Sequence, residues 1–267
     1  MANIIQDKSS KMKIEYIDNA SNTKDEYTLS CTNSYEIRYF EKGSFLYLIE
    51  GRSYEIKPNS ILFLSRNIFF ANKSDKDSDG AYYVISFGED DISTDYKENI
   101  LSFFAKDRGV TCYENVRDDL FIDNFMLYKN NDDLSNDLIS SFFYYLSGFI
   151  NKVSYMESYK PETTGNTAVC NIISYVNENL SASLSLDFLV KEFYISKHHL
   201  NKVFRKVVGT TVGKYINYKR VVRAQKLIED GYSASRAAIE SGFGDYSAFY
   251  RAYIKVLGHT PGGDKKR

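Results

Sequence analysis

His198, Asn201, Lys202 and Arg205 stand at i, i+3, i+4 and i+7, the spacing that puts four side chains on one face of a helix. An imidazole, an amide, an ammonium and a guanidinium on one exposed face can donate hydrogen bonds to phosphate oxygens and to base edges. The opposite face is apolar, because Leu200, Val203, Phe204 and Val207 recur at the same period. Ser196, just before the stretch, is suited to cap it by accepting a backbone N–H. His198 and His199 are adjacent, so on a helix they diverge and do not make a metal pair.

The same chemistry is written twice. Ser196, Leu200, Phe204, Gly209 and Thr211 match Asp245, Phe249, Tyr253, Gly258 and Thr260, each 49 residues further on. In the second copy the buried face is Phe249, Ala252, Tyr253 and Val256, and the exposed face is Tyr246, Ser247, Tyr250 and Arg251. That face carries one guanidinium and three hydroxyls, so it is less basic than the first. The candidate nucleic-acid contacts are therefore Lys197, His198, Asn201, Lys202 and Arg205 in the first copy, and Tyr246, Ser247, Tyr250 and Arg251 in the second.

A short amphipathic stretch precedes each copy, Ser185–Phe193 and Ser233–Ser241. Tyr194-Ile195 makes the first turn, and Gly242-Phe243-Gly244 makes a second turn one residue longer. A further helix, Asn171–Leu180, leads into the first unit. The layout is two helix-turn-helix units, each with its own recognition helix. The run Val212–Asp230 joins them, with Tyr215, Ile216, Ala224, Leu227 and Ile228 on one face and Gly231 as its stop. Its 19 residues span roughly 28 Å as a helix, close to one turn of duplex, ~34 Å.

Charge separates the chain into two parts. The whole carries a net −1, but residues 168–267 hold 16 Lys and Arg against 8 Asp and Glu, and the remainder 18 against 27. A basic third beside an acidic remainder implies separate domains and a polyanionic partner for the basic one. At 267 residues there is room for two ordinary cores. The polar start, Met1–Ser10, and the absence of any long apolar run point to no secretion signal and no membrane span. Cys31, Cys112 and Cys170 are odd in number and lack metal-ligand spacing, so they read as ordinary thiols of a reducing cytoplasm.

Between Ser34 and Phe87 the period falls to two. Tyr35, Ile37 and Tyr39 alternate with Glu36 and Arg38, and Phe45–Ile49, Tyr54–Ile56, Ile61–Leu64 and Tyr82–Ile85 follow as further strands. Glu50-Gly51 and Pro58-Asn59-Ser60 are turn signals, and the whole predicts a small barrel or sandwich. From about Tyr96 the period lengthens to helical, opening with Ile100, Leu101, Phe103 and Phe104. Leu134–Met156 carries a wide apolar stripe at that period, suited to covering a core or pairing with a partner helix. Residues 159–167, with Pro161 and Gly165, form the linker; 1–158 are the sensor and dimerisation domain and 168–267 the DNA-binding domain. All three histidines lie in the C-terminal third, so a barrel oxygenase lacks its ligands, and no catalytic set or phosphate loop is visible. No metal or cofactor is expected. An inward face of Tyr, Phe and Ile with a few polar groups suits a small organic ligand.

These motifs resemble the AraC/XylS transcription regulators. The resemblance is carried by Ile195-Ser-Lys-His-His-Leu-Asn-Lys-Val-Phe204, by Lys214-Tyr-Ile with Arg220 and Ala224-Gln-Lys-Leu227, and by Gly242-Phe-Gly-Asp-Tyr-Ser-Ala-Phe-Tyr-Arg251 followed by Gly258-His-Thr-Pro261. More loosely, Tyr47-Leu-Ile-Glu-Gly51 through Lys57-Pro-Asn-Ser-Ile61 is similar to the family's cupin-like sensor barrel. That motif's usual histidine is absent, and Gly262-Gly263 stands where a short closing helix usually follows. The fold implied is α+β, a cupin-like β-barrel with flanking helices followed by an all-α domain of two helix-turn-helix units joined by a long helix. The resemblance implies a sequence-specific regulator, an activator by family habit, acting on double-stranded DNA in the cytoplasm. Its expected partners are RNA polymerase, a small-molecule effector and a second copy of the chain. A ligand-independent regulator, whose N-terminal domain serves dimerisation or partner binding, is the alternative.

Overall fold

The computed structural model describes residues 12–18, 28–32, 34–50, 52–74, 80–116, 134–163, 167–208 and 210–264. It divides into two compact units with the boundary between Glu162 and Thr163. In the first unit the strands are β1 (Lys13–Asp18), β2 (Thr28–Cys31), β3 (Tyr35–Lys42), β4 (Phe45–Ile49), β5 (Arg52–Ile56), β6 (Ser60–Leu64), β7 (Phe69–Ser74), β8 (Ala81–Phe87), β9 (Val110–Tyr113) and β10 (Glu162–Thr163). They form two five-stranded sheets, in the orders β1-β8-β3-β6-β9 and β10-β5-β4-β7-β2. Two helices accompany them, α1 (Thr94–Phe104) and α2 (Asn136–Val153), the latter capped by Ser135 Oγ, which accepts from the Leu138 N–H.

Of the two forms that the strand pattern admits, a barrel or a sandwich, the unit takes the second, and its sheets do not close into the barrel that the resemblance implies. Among the described residues the two sheets share no strand pairing, so the unit is an open sandwich. One sheet is buried on both faces. Ile37, Ile61, Phe63, Ile85 and Phe87 pack against Phe103 and Phe104 of α1 and Phe142, Phe143 and Phe149 of α2. On the other face Phe40, Leu62, Leu64, Tyr82 and Val84 meet Phe45, Tyr47, Tyr54, Ile56 and Phe70 of the second sheet. This double cover explains why β6 reads Ile-Leu-Phe-Leu without polar alternation: all five of its residues are buried. Burial of each such large apolar side chain contributes about 1.5–3 kcal/mol.

Tyr159, expected in the linker, is seated on the sandwich. Its N–H donates to Cys112 O at 2.8 Å, its hydroxyl accepts from the Glu55 N–H at 3.4 Å, and its ring lies 6.0 Å from Tyr54. Residues 164–166 lie outside the described residues, and the next helix begins at Thr167.

The second unit is helical: α3 (Thr167–Glu178), α4 (Leu186–Glu192), α5 (Lys197–Val208), α6 (Val212–Glu229), α7 (Ala234–Glu240), α8 (Tyr246–Leu257) and a 3₁₀ turn at Pro261–Asp264. Ser185, Thr211 and Ser233 each accept a hydrogen bond from the backbone N–H three residues on, capping α4, α6 and α7.

Among the cysteines, Cys31 and Cys170 are half-buried and Cys112 is buried. Burial, helped by the charge of Glu114, pushes the Cys112 thiol up to about 12, so at neutral pH it is protonated and a poor nucleophile. The stability tied to this thiol is fully present below its ordinary value of 9.0 and is lost as pH rises towards about 12. The melting temperature of the full chain is expected to fall across that range, and to fall less steeply in Cys112→Ala; identical slopes would refute the assignment.

Candidate functional site

Ser196 Oγ accepts from the His199 N–H at 3.2 Å and so starts α5 where the sequence places its cap. Leu200, Phe204 and Val207 then turn inward, with the Phe204 ring 5.6 Å from that of Tyr215 on α6. That burial sets the rotation of the helix and leaves Lys197, His198, Lys202 and Arg205 exposed. Asn201 is half-buried, and its amide donates to Lys197 O at 3.2 Å. Lys197 is also engaged: its Nζ lies 2.5 Å from Asp187 Oδ1 on α4, in a pair exposed on both sides. Such a pair contributes about 0.2–1 kcal/mol, and a phosphate can replace it. Lys202 and Arg205 thus carry the accessible positive charge of this face.

The second copy is built alike. Asp245 Oδ2 accepts from the Ala248 N–H at 2.8 Å, and Phe249, Tyr253 and Leu257 point inward. Gly258, at φ 75, closes the helix by donating its N–H to Ile254 O at 2.9 Å. Tyr246, Ser247, Tyr250 and Arg251 are exposed, the two tyrosine rings 6.3 Å apart. The structure therefore brings the sequence-expected residues onto two capped helices, each with an apolar face inward and donors outward. Of the repeat, only Gly209 falls outside the described residues.

The copies differ in their turns. The residue after the cap of α7 is Gly242 at φ 90, whereas the matching residue after α4 is Tyr194 at φ 51, with 97% of its surface exposed. A side chain in this left-handed region costs roughly 1–2 kcal/mol, and a turn of plain loop residues in the sequence gave no signal of it.

A second site lies in the first unit and was missed at the sequence level. Arg38 sits between the two sheets, 8% exposed. Its Nε and Nη2 donate to Glu36 Oε2 at 3.0 and 2.6 Å, and its Nη1 donates to the Tyr47 hydroxyl at 3.1 Å. The guanidinium lies 4.4 Å from the centre of the Phe70 ring and 5.9 Å from that of Tyr82. Guanidinium has five N–H groups; three are used here among the described residues, which leaves donors for another acceptor. Alternation in β3 reads Arg38 as outward, but the outward face is itself covered by the second sheet. No cluster of metal-ligating side chains occurs among the described residues.

Residues 189–267 match the profile of a helix-turn-helix domain, and residues 15–108 that of an AraC-like ligand binding domain. The chain is 29% identical over 112 residues to the HTH-type transcriptional activator AarP of Providencia stuartii, covering 42% of this chain and 83% of that one. To the Msm operon regulatory protein of Streptococcus mutans it is 22% identical over 240 residues, covering 88% and 84%. Among solved structures it is similar to unsaturated fatty acid bound ToxT of Vibrio cholerae, with 18% identity, coverage of 96% and 95%, and a TM-score of 0.40. The relatives are transcription regulators, and both halves of the chain carry the family's two domains in the family's order. The chain belongs to the AraC/XylS family of DNA-binding transcription regulators.

Proposed function

We propose that α5 and α8 read one double-stranded DNA site together, and that the sandwich interior around Arg38 receives a small organic effector that tunes this binding. The observation that carries the reading is the repetition of one capped helix, apolar inward and donor-rich outward, at an offset of 49 residues. Lys202, Arg205 and Arg251 supply the ionic contacts to phosphate, while His198, Asn201, Tyr246, Ser247 and Tyr250 supply hydrogen bonds that fix register and read bases. Lys197 exchanges Asp187 for a phosphate. α6 supports the pairing, since its 18 residues cover about 27 Å, a step short of one duplex turn that modest bending of the DNA closes.

Arg38 supports the effector. A buried cation walled by Tyr47, Phe70 and Tyr82, with two of its five N–H groups beyond those given to Glu36 and Tyr47, suits a ligand that carries an acceptor. The chain acts as an activator through contact with RNA polymerase, in the cytoplasm, with no catalysis of its own. No described helix is long and apolar enough to cross a membrane. A second reading, regulation through a protein partner or a second copy, is favoured by Tyr144 and Tyr145, which stand 61% and 42% exposed on α2.

Two experiments test these assignments. On a duplex selected from a random pool by the full chain, Lys202→Ala is expected to weaken binding more than Ser247→Ala and to lower the slope of log affinity against log salt by about 0.9; the reverse order contradicts the division of labour. In a metabolite panel, a compound that raises the melting temperature should also change DNA affinity. Arg38→Lys should abolish both effects and leave DNA binding without the compound unchanged. A compound that acts equally on the variant removes Arg38 from the site.

A further inference from the structure

Arg220 lies on α6, between the two helix-turn-helix units, and its side chain touches both. Nε donates to Leu180 O at 2.9 Å and Nη2 to Ala182 O at 2.7 Å, in the loop that leads from α3 into the first unit. The same guanidinium stands 6.0 Å from the centre of the Phe243 ring, in the turn of the second unit. The backbones meet at that place as well. Gly242 approaches Leu180 so closely that a β-carbon there would fall 2.1 Å from Leu180 O and 3.0 Å from Arg220 Nε. Its φ of 90 also excludes other residues without strain.

A long helix on which two units pack fixes their separation, and bending or twisting of the helix between them is the freedom that remains. An attachment away from the axis removes that freedom, because two separate points of contact define an orientation. Arg220 and the Gly242–Leu180 approach form such an attachment. The planar fork of guanidinium suits it, since Nε and Nη2 reach two carbonyls at once, which one ammonium group cannot do in the same geometry.

We infer that Arg220 and Gly242 form a joint that fixes the angle between the two recognition helices and thereby sets the half-site spacing the chain accepts. Arg220 is a positioning residue: it acts through α5 and α8 and touches no base. The spacing consequence rests on paired reading by the two helices, whereas the fixed angle is a property of the free protein.

The two parts are tested separately. Nitroxide labels go on Tyr194→Cys in the first unit and Ile239→Cys in the second, positions 97% and 71% exposed, in the full chain with its native cysteines replaced by alanine. Pulsed dipolar spectroscopy is expected to give one narrow distance distribution. Arg220→Ala should broaden it with helix content unchanged, and Arg220→Lys should fall between. On the selected duplex, inserting or deleting one base pair between half-sites should cost the parent chain about tenfold in affinity and Arg220→Ala less than about threefold, with the salt slope of both proteins alike. An unbroadened distribution in folded Arg220→Ala or Arg220→Lys overturns the joint. Equal weakening on all duplexes, with spacing discrimination kept, overturns its role in spacing.

Discussion

One helix has to be buried by two units at once, and the DNA-binding half is arranged around that constraint. Tyr215 on α6 packs on Phe204 of α5 and donates its hydroxyl to Asn177 Oδ1 of α3 at 3.0 Å, which ties it to the first helix-turn-helix unit. Val221, Ala224 and Ile228 on the same helix join Ala237, Phe249 and Tyr253 in the core of the second. As a result α6 is apolar on more than one side, and Tyr218 and even Gln225 are buried along with Tyr215, Ile216, Ala224 and Ile228 of its expected stripe, while Leu227 is half-buried. The outward faces of α5 and α8 are a consequence: each recognition helix commits its apolar side to α6, so its donors have to point away.

The first unit answers to a comparable constraint. A sheet covered by helices on one face and by another sheet on the other has no wet side on which to place polar residues. Glu36 and Arg38 therefore enter the interior as a pair, and the pair is tolerated because each charge neutralises the other while Arg38 also donates to the Tyr47 hydroxyl. A purely structural core gains little from such a pair, since apolar side chains of similar volume commonly serve as well. A binding domain gains a donor in a place where water does not compete.

Much of this was legible in the sequence, for local physical reasons. Caps at Ser185, Ser196, Ser233 and Asp245, a helical period and a glycine stop at Gly258 are decided within one turn of helix, so residues a few positions apart reveal them. Features that depend on distant segments were not legible. Alternating strands left barrel and sandwich open because closure depends on pairing between edge strands, which hydrophobic alternation does not encode. Arg38 looked like a surface residue because its cover comes from another sheet. Gly242 was read as a turn glycine, which it is, but its contact with Leu180 is made 62 residues away in the chain, and Arg220 entered only as a residue of the family motif.

The acidic first unit and basic second unit fit a division between a sensing part and a DNA-binding part; in the proposed function charge recruits the duplex and the two helices select among sites. The claim on which the account turns is that both helices engage one duplex together. Hydroxyl-radical footprinting of the full chain on its selected duplex tests this most directly. The account requires two protected patches about one helical turn apart on one face of the DNA; a single patch, or protection that does not depend on sequence, would contradict it.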